Sequence, residues 1–457
     1  MLFTTLRGSE VEASRTVGMA LIAKDTPMYY ESLESLYQNG VYAGLCRMPG
    51  LMPFYIPLRV LFSPETSKQA IILFQVLADA ISSLLLCLIA ARIYHSSRAF
   101  KLTALLLCLS TFVSIRSSYL LSDSFGISAC IIATYFLVQF AELRKLKSAF
   151  WCGVFICWAI FLRQITVLLI PVCAGIMHFA VGFQWRAWFK ACVVFMLPIA
   201  IAISAWAIRN HITYHRTVFL VAPVEECMTQ LTPAYSSIRK FVIVTGKDFQ
   251  PWSVGDAAHW FVQPDIQRKM TIPYEASEYT SAYNADSLLA LKSDYHNILA
   301  LEQGTASYDS LEQRIISKTA RYSGAYKHEH TFRFYVANRF AFLFKFLFPW
   351  RIDDLPFPAM NEMNLIQKGI KAWSLVFLWT ISALSLLALV FHAFRKDWGI
   401  LLWAGIPWSL TAALSVLGFI EQRFLATSYP FMVMMVAGLL AIVAERYWKK
   451  EASVQQR

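Results

Sequence analysis

Asp25, Arg163 and Arg423 are the side chains whose types and positions suit chemistry together. Each sits at the edge of an apolar run, where a charge is costly and calls for a reason. A carboxylate can take the proton of an attacking hydroxyl. Guanidinium groups stay charged, and their fork matches two phosphate oxygens. A base beside fixed cations suits an anionic, lipid-borne substrate, with the cations meeting the charge that develops on a leaving group.

The elements that must position these residues are membrane spans. The 457 residues are 57% hydrophobic and 15% charged, against about 45–50% and about 25% in soluble domains. The net charge of +12 does not mark a nucleic-acid binder, because no basic block is interleaved with aromatics. Spans are expected at 69–91, 102–117, 124–141, 149–162, 164–182, 189–208, 372–394, 398–419 and 425–444, most near the ~20 residues that cross a bilayer. Alternate connections are basic: Arg92, Arg98 and Lys101; Arg144, Lys145 and Lys147; Arg186; Arg395 and Lys396; Arg446, Lys449 and Lys450. The other connections are nearly free of Lys and Arg, except for Arg116, Arg163 and Arg423 near their edges. The basic loops mark the cytoplasmic side. Asp25, Arg163 and Arg423 then face the opposite side.

The expectation is an all-α polytopic membrane protein of about nine to ten transmembrane helices, with an external soluble cap and an interfacial amphipathic helix. Residues 1–68 form an external first loop, 69–208 the first spans, and 209–350 the cap and interfacial helix. Residues 351–371 form an external connector, 372–445 the last spans, and 446–457 a cytoplasmic tail. Within the cap, 285–302 and 309–319 are helix-compatible. In 331–350, Arg333, Arg339 and Lys345 interrupt a Phe-rich run, which suits a helix lying in the interface rather than crossing it.

The segment 25–58 begins with Asp25, continues through Tyr29 and a helix-like stretch, and reaches an Arg47-Met48-Pro49-Gly50 turn. Ser122-Asp123 opens the third span, Leu162-Arg163-Gln164 follows the fourth, and Arg209-Asn210 closes the sixth. Glu421-Gln422-Arg423-Phe424 precedes the last. In order and spacing, this set resembles the C-type membrane glycosyltransferases, in the branch of the dolichyl-phosphate-mannose protein mannosyltransferases and bacterial aminoarabinose transferases. Met48 stands where that family more often has Pro, and where the family has a helix before its Asp the residues ahead of Asp25 hold only a short apolar run, 17–23.

The resemblance implies transfer of a sugar from a polyprenyl-phosphate-linked donor to a lipid, glycan or protein acceptor on the outer or lumenal face. Asp25 would be the base, Arg423, Arg163, Arg209 and Arg47 would hold the donor phosphate, and Tyr29 and Asp123 would support. The expected setting is a bacterial inner (cell) membrane with the active site facing outward; the partners are the donor and membrane lipid, with no nucleic acid. Rival readings are an O-antigen polymerase or ligase, or a transporter for a lipid-linked sugar.

Other residues have bland readings beside functional ones. Asp25 and Asp123 also suit helix caps, and Asp123 suits a divalent metal. Asp79 lies inside a span and is read as a structural hydrogen-bonding group. His211 with His215, and His328 with His330, have metal-like spacing but lack further ligands in sequence. Cys46 and Cys227 are the two cysteines in polar stretches, and an oxidising face would let them pair.

Overall fold

The structure is a computed structural model that describes residues 16–17, 19–23, 25–222, 227, 232–248, 256–263, 272–350, 352, 355–358, 360–418 and 421–455. A two-residue hairpin, β1 (Thr16–Val17) and β2 (Ala20–Leu21), precedes helices α1 (Thr26–Asn39), α2 (Met52–Leu61), α3 (Pro64–Ile93) and α4 (Ser97–Leu109). Next come α5 (Thr111–Ser114), α6 (Asp123–Leu143), α7 (Leu146–Leu162), α8 (Leu169–Ala180) and α9 (Trp185–Tyr214). Then follow α10 (Pro233–Val244), α11 (Asp256–Val262), α12 (Ala285–Leu299), α13 (Ala306–Glu329) and α14 (Asn338–Leu347). The last three are α15 (Leu365–Phe394), α16 (Trp398–Leu417) and α17 (Gln422–Gln455). The fold is that of an all-α polytopic membrane protein.

The chain divides into two units, one of Met1–Ala222, Leu347–Thr411 and Gln422–Arg457, the other of Pro223–Phe346 and Ala412–Glu421. In the first, α6 packs on α3 and α7, α7 on α9, and α17 on α4 and α15. Among the described residues, six helices are long and apolar enough to cross a membrane: α3, α6, α9, α15, α16 and α17 over Gln422–Arg446. A seventh follows if α4 and Thr111–Ser118, bent by 57°, count as one span. The helices around 146–162 and 164–180 are shorter. Seventeen residues in α7 reach only ~25 Å, short of a ~30 Å hydrocarbon core.

Three expected spans differ in detail. The run 102–117 is broken at Ser110, whose backbone is extended. Hydroxyls around the break bond locally, Ser114 to the carbonyls of Ser110 and Thr111 and Ser117 to that of Ser114. Such side chains compete with a helix for its own acceptors. The run 164–182 opens with a 3-10 turn, Gln164–Leu168, before α8. The run 189–208 extends through Tyr214, so Arg209 and Asn210 lie inside α9; the helix stops at His215, whose φ is 53°.

The second unit has its own core, rich in tyrosine, around Tyr235, Phe241, Trp260, Tyr274, Tyr283 and Tyr326. The two helix-compatible stretches are α12 and α13, capped by the side chains of Asn284 and Thr305. Buried Glu278 is held by Lys247 and Arg333, each at 2.6 Å. The Phe-rich run is helical: a π turn, Arg333–Ala337, leads into α14. It is two-faced, with Phe334, Phe342 and Phe346 buried and Phe332, Tyr335, Phe340 and Phe344 exposed.

Candidate active site

The site is assembled at the starts of the two most deeply packed spanning helices. In α17, 83% of the most apolar window is buried, and in α6, 72%. Helices that are apolar on all sides must be enclosed by others, and enclosure fixes their ends. Asp123 is the first residue of α6 and Arg423 the second of α17.

Asp25 stands immediately before α1. Its side chain makes no cap bond. Instead Oδ2 accepts from Arg423 Nη1 at 2.7 Å and from Arg47 Nη2 at 2.9 Å. The Thr26 hydroxyl, not Asp25, takes the Ala23 N–H at 2.9 Å. The carboxylate is thus engaged by two guanidiniums drawn from positions 22 and 398 residues away. Burial alone would raise the Asp25 pKa. Arg423, Arg47 and Arg163 outweigh it and hold the carboxyl below the usual carboxylate range.

A second pair adjoins the first. Arg163 ends α7 in extended backbone, is 8% exposed and is paired with Asp123. Its Nη1 also donates to the Arg423 carbonyl at 2.9 Å. The guanidiniums of Arg163 and Arg423 lie 4.8 and 5.7 Å from the Phe424 ring centre. Asp123, like Asp25, therefore does not spend its side chain on a cap. Ser122 Oγ donates to the Leu162 carbonyl at 2.8 Å and lies 3.0 Å from the Tyr29 hydroxyl. Arg47 sits 5.0 Å over the Tyr29 ring.

Two glycines make room for this arrangement. A Cβ on Gly126 would meet Arg163 Cγ at 3.2 Å, so the arginine stem crosses α6 where no side chain stands. A Cβ on Gly50 would fall 2.5 Å from the Phe161 carbonyl oxygen. The Arg47–Gly50 turn thus lies directly on the end of α7, two residues before Arg163, and Trp158 Nε1 clamps the Gly50 carbonyl at 3.0 Å. Sequence reading found the turn but not the reason for its glycine, and it passed over Gly126 and Trp158; nothing in their spacing points to the site. Gly50→Ala should lift the turn from α7 and misplace Arg47, because the obstacle is backbone. Overpacking of this kind costs about 1–3 kcal/mol. Any activity that depends on Arg47 should fall about tenfold or more while Asp25 is intact; unchanged activity in membranes would mean that the turn has no part in positioning Arg47.

Arg209 is bonded to the Tyr42 carbonyl and to Asn210 Oδ1 and lies 4.9 Å over Trp206 and 5.7 Å over the Tyr42 ring. Among the histidines, His211 lies 3.3 Å from the Thr217 hydroxyl, and His330 meets the Tyr279 carbonyl at 3.0 Å. Asp79 is half-buried on α3. Among the described residues no group of three or more His, Cys, Asp or Glu could hold a metal ion. Asp123 is engaged by Arg163, and the three guanidiniums of Arg47, Arg163 and Arg423 face two carboxylates. These five groups together carry one net positive charge.

Residues 51–208 match the family model described as dolichyl-phosphate-mannose-protein mannosyltransferase. Asp123 and Arg163 lie inside that match; Asp25, Arg47 and Arg423 lie outside it. No curated protein matches the chain. Among solved structures, the archaeal oligosaccharyltransferase AglB from Archaeoglobus fulgidus, in complex with an inhibitory peptide and a dolichol-phosphate, aligns over 95% of this chain at 12% identity and a TM-score of 0.47. This chain spans about half the length of that protein, 48%. ArnT from Cupriavidus metallidurans, bound to undecaprenyl phosphate, aligns over 92% of this chain and 74% of its own at 12% identity and a TM-score of 0.34. The likeness to the dolichyl-phosphate-mannose-protein mannosyltransferase family rests on residues 51–208.

Proposed function

We propose that the protein transfers a sugar from a polyprenyl-phosphate-linked donor to a lipid, glycan or protein acceptor, and that Asp25 is its base. The observation that carries this reading is the pairing of the Asp25 carboxylate with Arg423 and Arg47 beside the Asp123–Arg163 pair. A phosphate competes for the same guanidinium forks and accepts two hydrogen bonds from each. Donor binding would therefore draw Arg423 and Arg47 from Asp25 and leave the carboxylate free. Asp25 then takes the acceptor's hydroxyl proton as that oxygen bonds to the anomeric carbon. The bond from that carbon to the phosphate oxygen breaks, and its electron pair leaves with the polyprenyl phosphate, where the arginines meet the added charge. The binding and acid–base roles stay on this chain's own side chains throughout.

The test is transfer of labelled sugar in membranes, using a panel of polyprenyl-phosphate sugars as donors. Protein-dependent product with release of polyprenyl phosphate is expected. No transfer from any member of a broad panel, by protein that is inserted and folded, would overturn the reading.

The active face is proposed to be external, as the basic loops suggest. Cys46 and Cys227 are both disulfide-bonded, which suits an oxidising compartment; the other seven cysteines are free. A membrane-impermeant thiol reagent should reach Cys46 and Cys227 in intact cells only after reduction. A cysteine placed at 146, at the start of α7, should react only after permeabilisation. Labelling of position 146 from outside would invert the orientation.

A further inference from the structure

A cavity lies at the far end of α6 from the candidate active site. It encloses about 690 Å³, between the ends of α3 and α6, the start of α16 and the later turns of α17. Helix α6 runs from Asp123 at the candidate active site to Leu143 beside this cavity. Its 21 residues span ~30 Å, the thickness of the hydrocarbon core. The cavity is therefore separate from the candidate active site.

Its lining carries both signs of charge. Arg92, Arg395 and Arg446 face the cavity with Glu142, Asp397 and Glu445. Some of these charges are already matched. Asp397 takes Arg395 at 3.3 Å and His392 at 3.1 Å, and Glu445 accepts from Ser96 at 2.6 Å. Arg92 and Glu142 form an ion pair too long for a hydrogen bond: Arg92 Nη1 stands 3.6 Å from Glu142, the guanidinium lies 5.1 Å over the Tyr135 ring, and Nη1 is buried without a hydrogen-bond partner. A buried donor left in this way is costly, and a ligand oxygen would satisfy it. Trp398 and Trp403 complete the wall, and Trp is the residue of the bilayer interface. Val138, Ala141, Ile400 and Ile442 also line it, which suits a ligand with a hydrocarbon part.

We propose that this cavity binds a zwitterionic phospholipid whose headgroup carries a primary ammonium. Its phosphate would meet Arg92 and Arg446, its ammonium Glu142, and its acyl chains the tryptophans. Matched numbers of cations and carboxylates favour a zwitterion over an anionic headgroup.

The probe is dihexanoyl-phosphatidylethanolamine, titrated into the full-length protein in a neutral detergent and followed by native mass spectrometry. Saturable binding is expected, weakened about tenfold or more by Arg92→Gln, which removes a charge-assisted contact to phosphate. Glu142→Gln should weaken it too, while improving binding of dihexanoyl-phosphatidylglycerol. Either variant reports if the other fails to fold. Inorganic phosphate should not displace the lipid. Equal binding of the glycerol and ethanolamine lipids, displacement by inorganic phosphate, or indifference to both substitutions would overturn the assignment.

Discussion

Asp25→Asn should leave the protein folded, inserted and able to bind donor, yet cut turnover by ~10²-fold or more. Asn keeps the size of Asp and caps helices about as well. It still accepts a hydrogen bond from Arg47 or Arg423, but it cannot take a proton at working pH. The loss should fall on kcat. Donor KM should stay level or drop, because the arginines no longer have a carboxylate competing with the phosphate. A second signature lies in pH. The free enzyme's Asp25 is held below its ordinary value of 3.8 by Arg423, Arg47 and Arg163 against the opposing effect of burial. Its charge, and the stability its pairs contribute, are fully present above 3.8 and are lost as pH falls through the lowered pKa. The acid limb of kcat/KM, which reports free enzyme, should therefore lie below 3.8 as far as Asp25 determines it. If the donor phosphate draws the arginines away, the acid limb of kcat should lie higher. Wild-type turnover by the Asn variant would refute Asp25 as the base. It would favour a polymerase, ligase or transporter that relies on other residues.

How much of this was legible in the sequence differs between the spans and the site. Apolar length and alternating Lys and Arg locate the helices, because a bilayer imposes both constraints on any chain that crosses it. They do not report the break at Ser110, where the distant Trp373 Nε1 donates to the Leu109 carbonyl at 3.0 Å and no proline or glycine marks the place. Nor do they find the continuation of α9 to Tyr214, since propensity continues there after hydropathy ends. Asp25, Arg163 and Arg423 were named from residue type and position, and Arg47 and Asp123 from the resemblance to the family's motifs. Which carboxylate pairs with which arginine was not legible. The partners lie as far as 398 residues apart, and the pairing depends on close approaches at Gly50 and Gly126. The contacts of Arg209 with the rings of Trp206 and Tyr42 likewise have no sequence signature.

Arg423 should be the cation whose loss is most costly. It touches both halves of the cluster, pairing with Asp25 through its side chain and accepting from Arg163 through its carbonyl. A substitution at 423 removes the first contact and leaves the second, so Arg163 keeps its place and the effect isolates one guanidinium. Arg423→Ala should lower transfer by ~10²–10³-fold, the usual result of deleting one preorganised group that stabilises developing charge. Arg423→Lys should recover only part of this. An ammonium can pair with Asp25, but as a point charge it cannot hold two phosphate oxygens in a fixed plane. The Lys variant should therefore retain insertion, thermal stability and the low Asp25 pKa, while both donor KM and kcat worsen. An interfacial anchor would behave differently, because Lys snorkels to headgroups as readily as Arg and would leave transfer intact. The measurement is transfer at saturating and limiting donor in membranes containing matched amounts of each variant. Full activity in Arg423→Ala would reduce the residue to that anchor and move the phosphate site to Arg47 and Arg163.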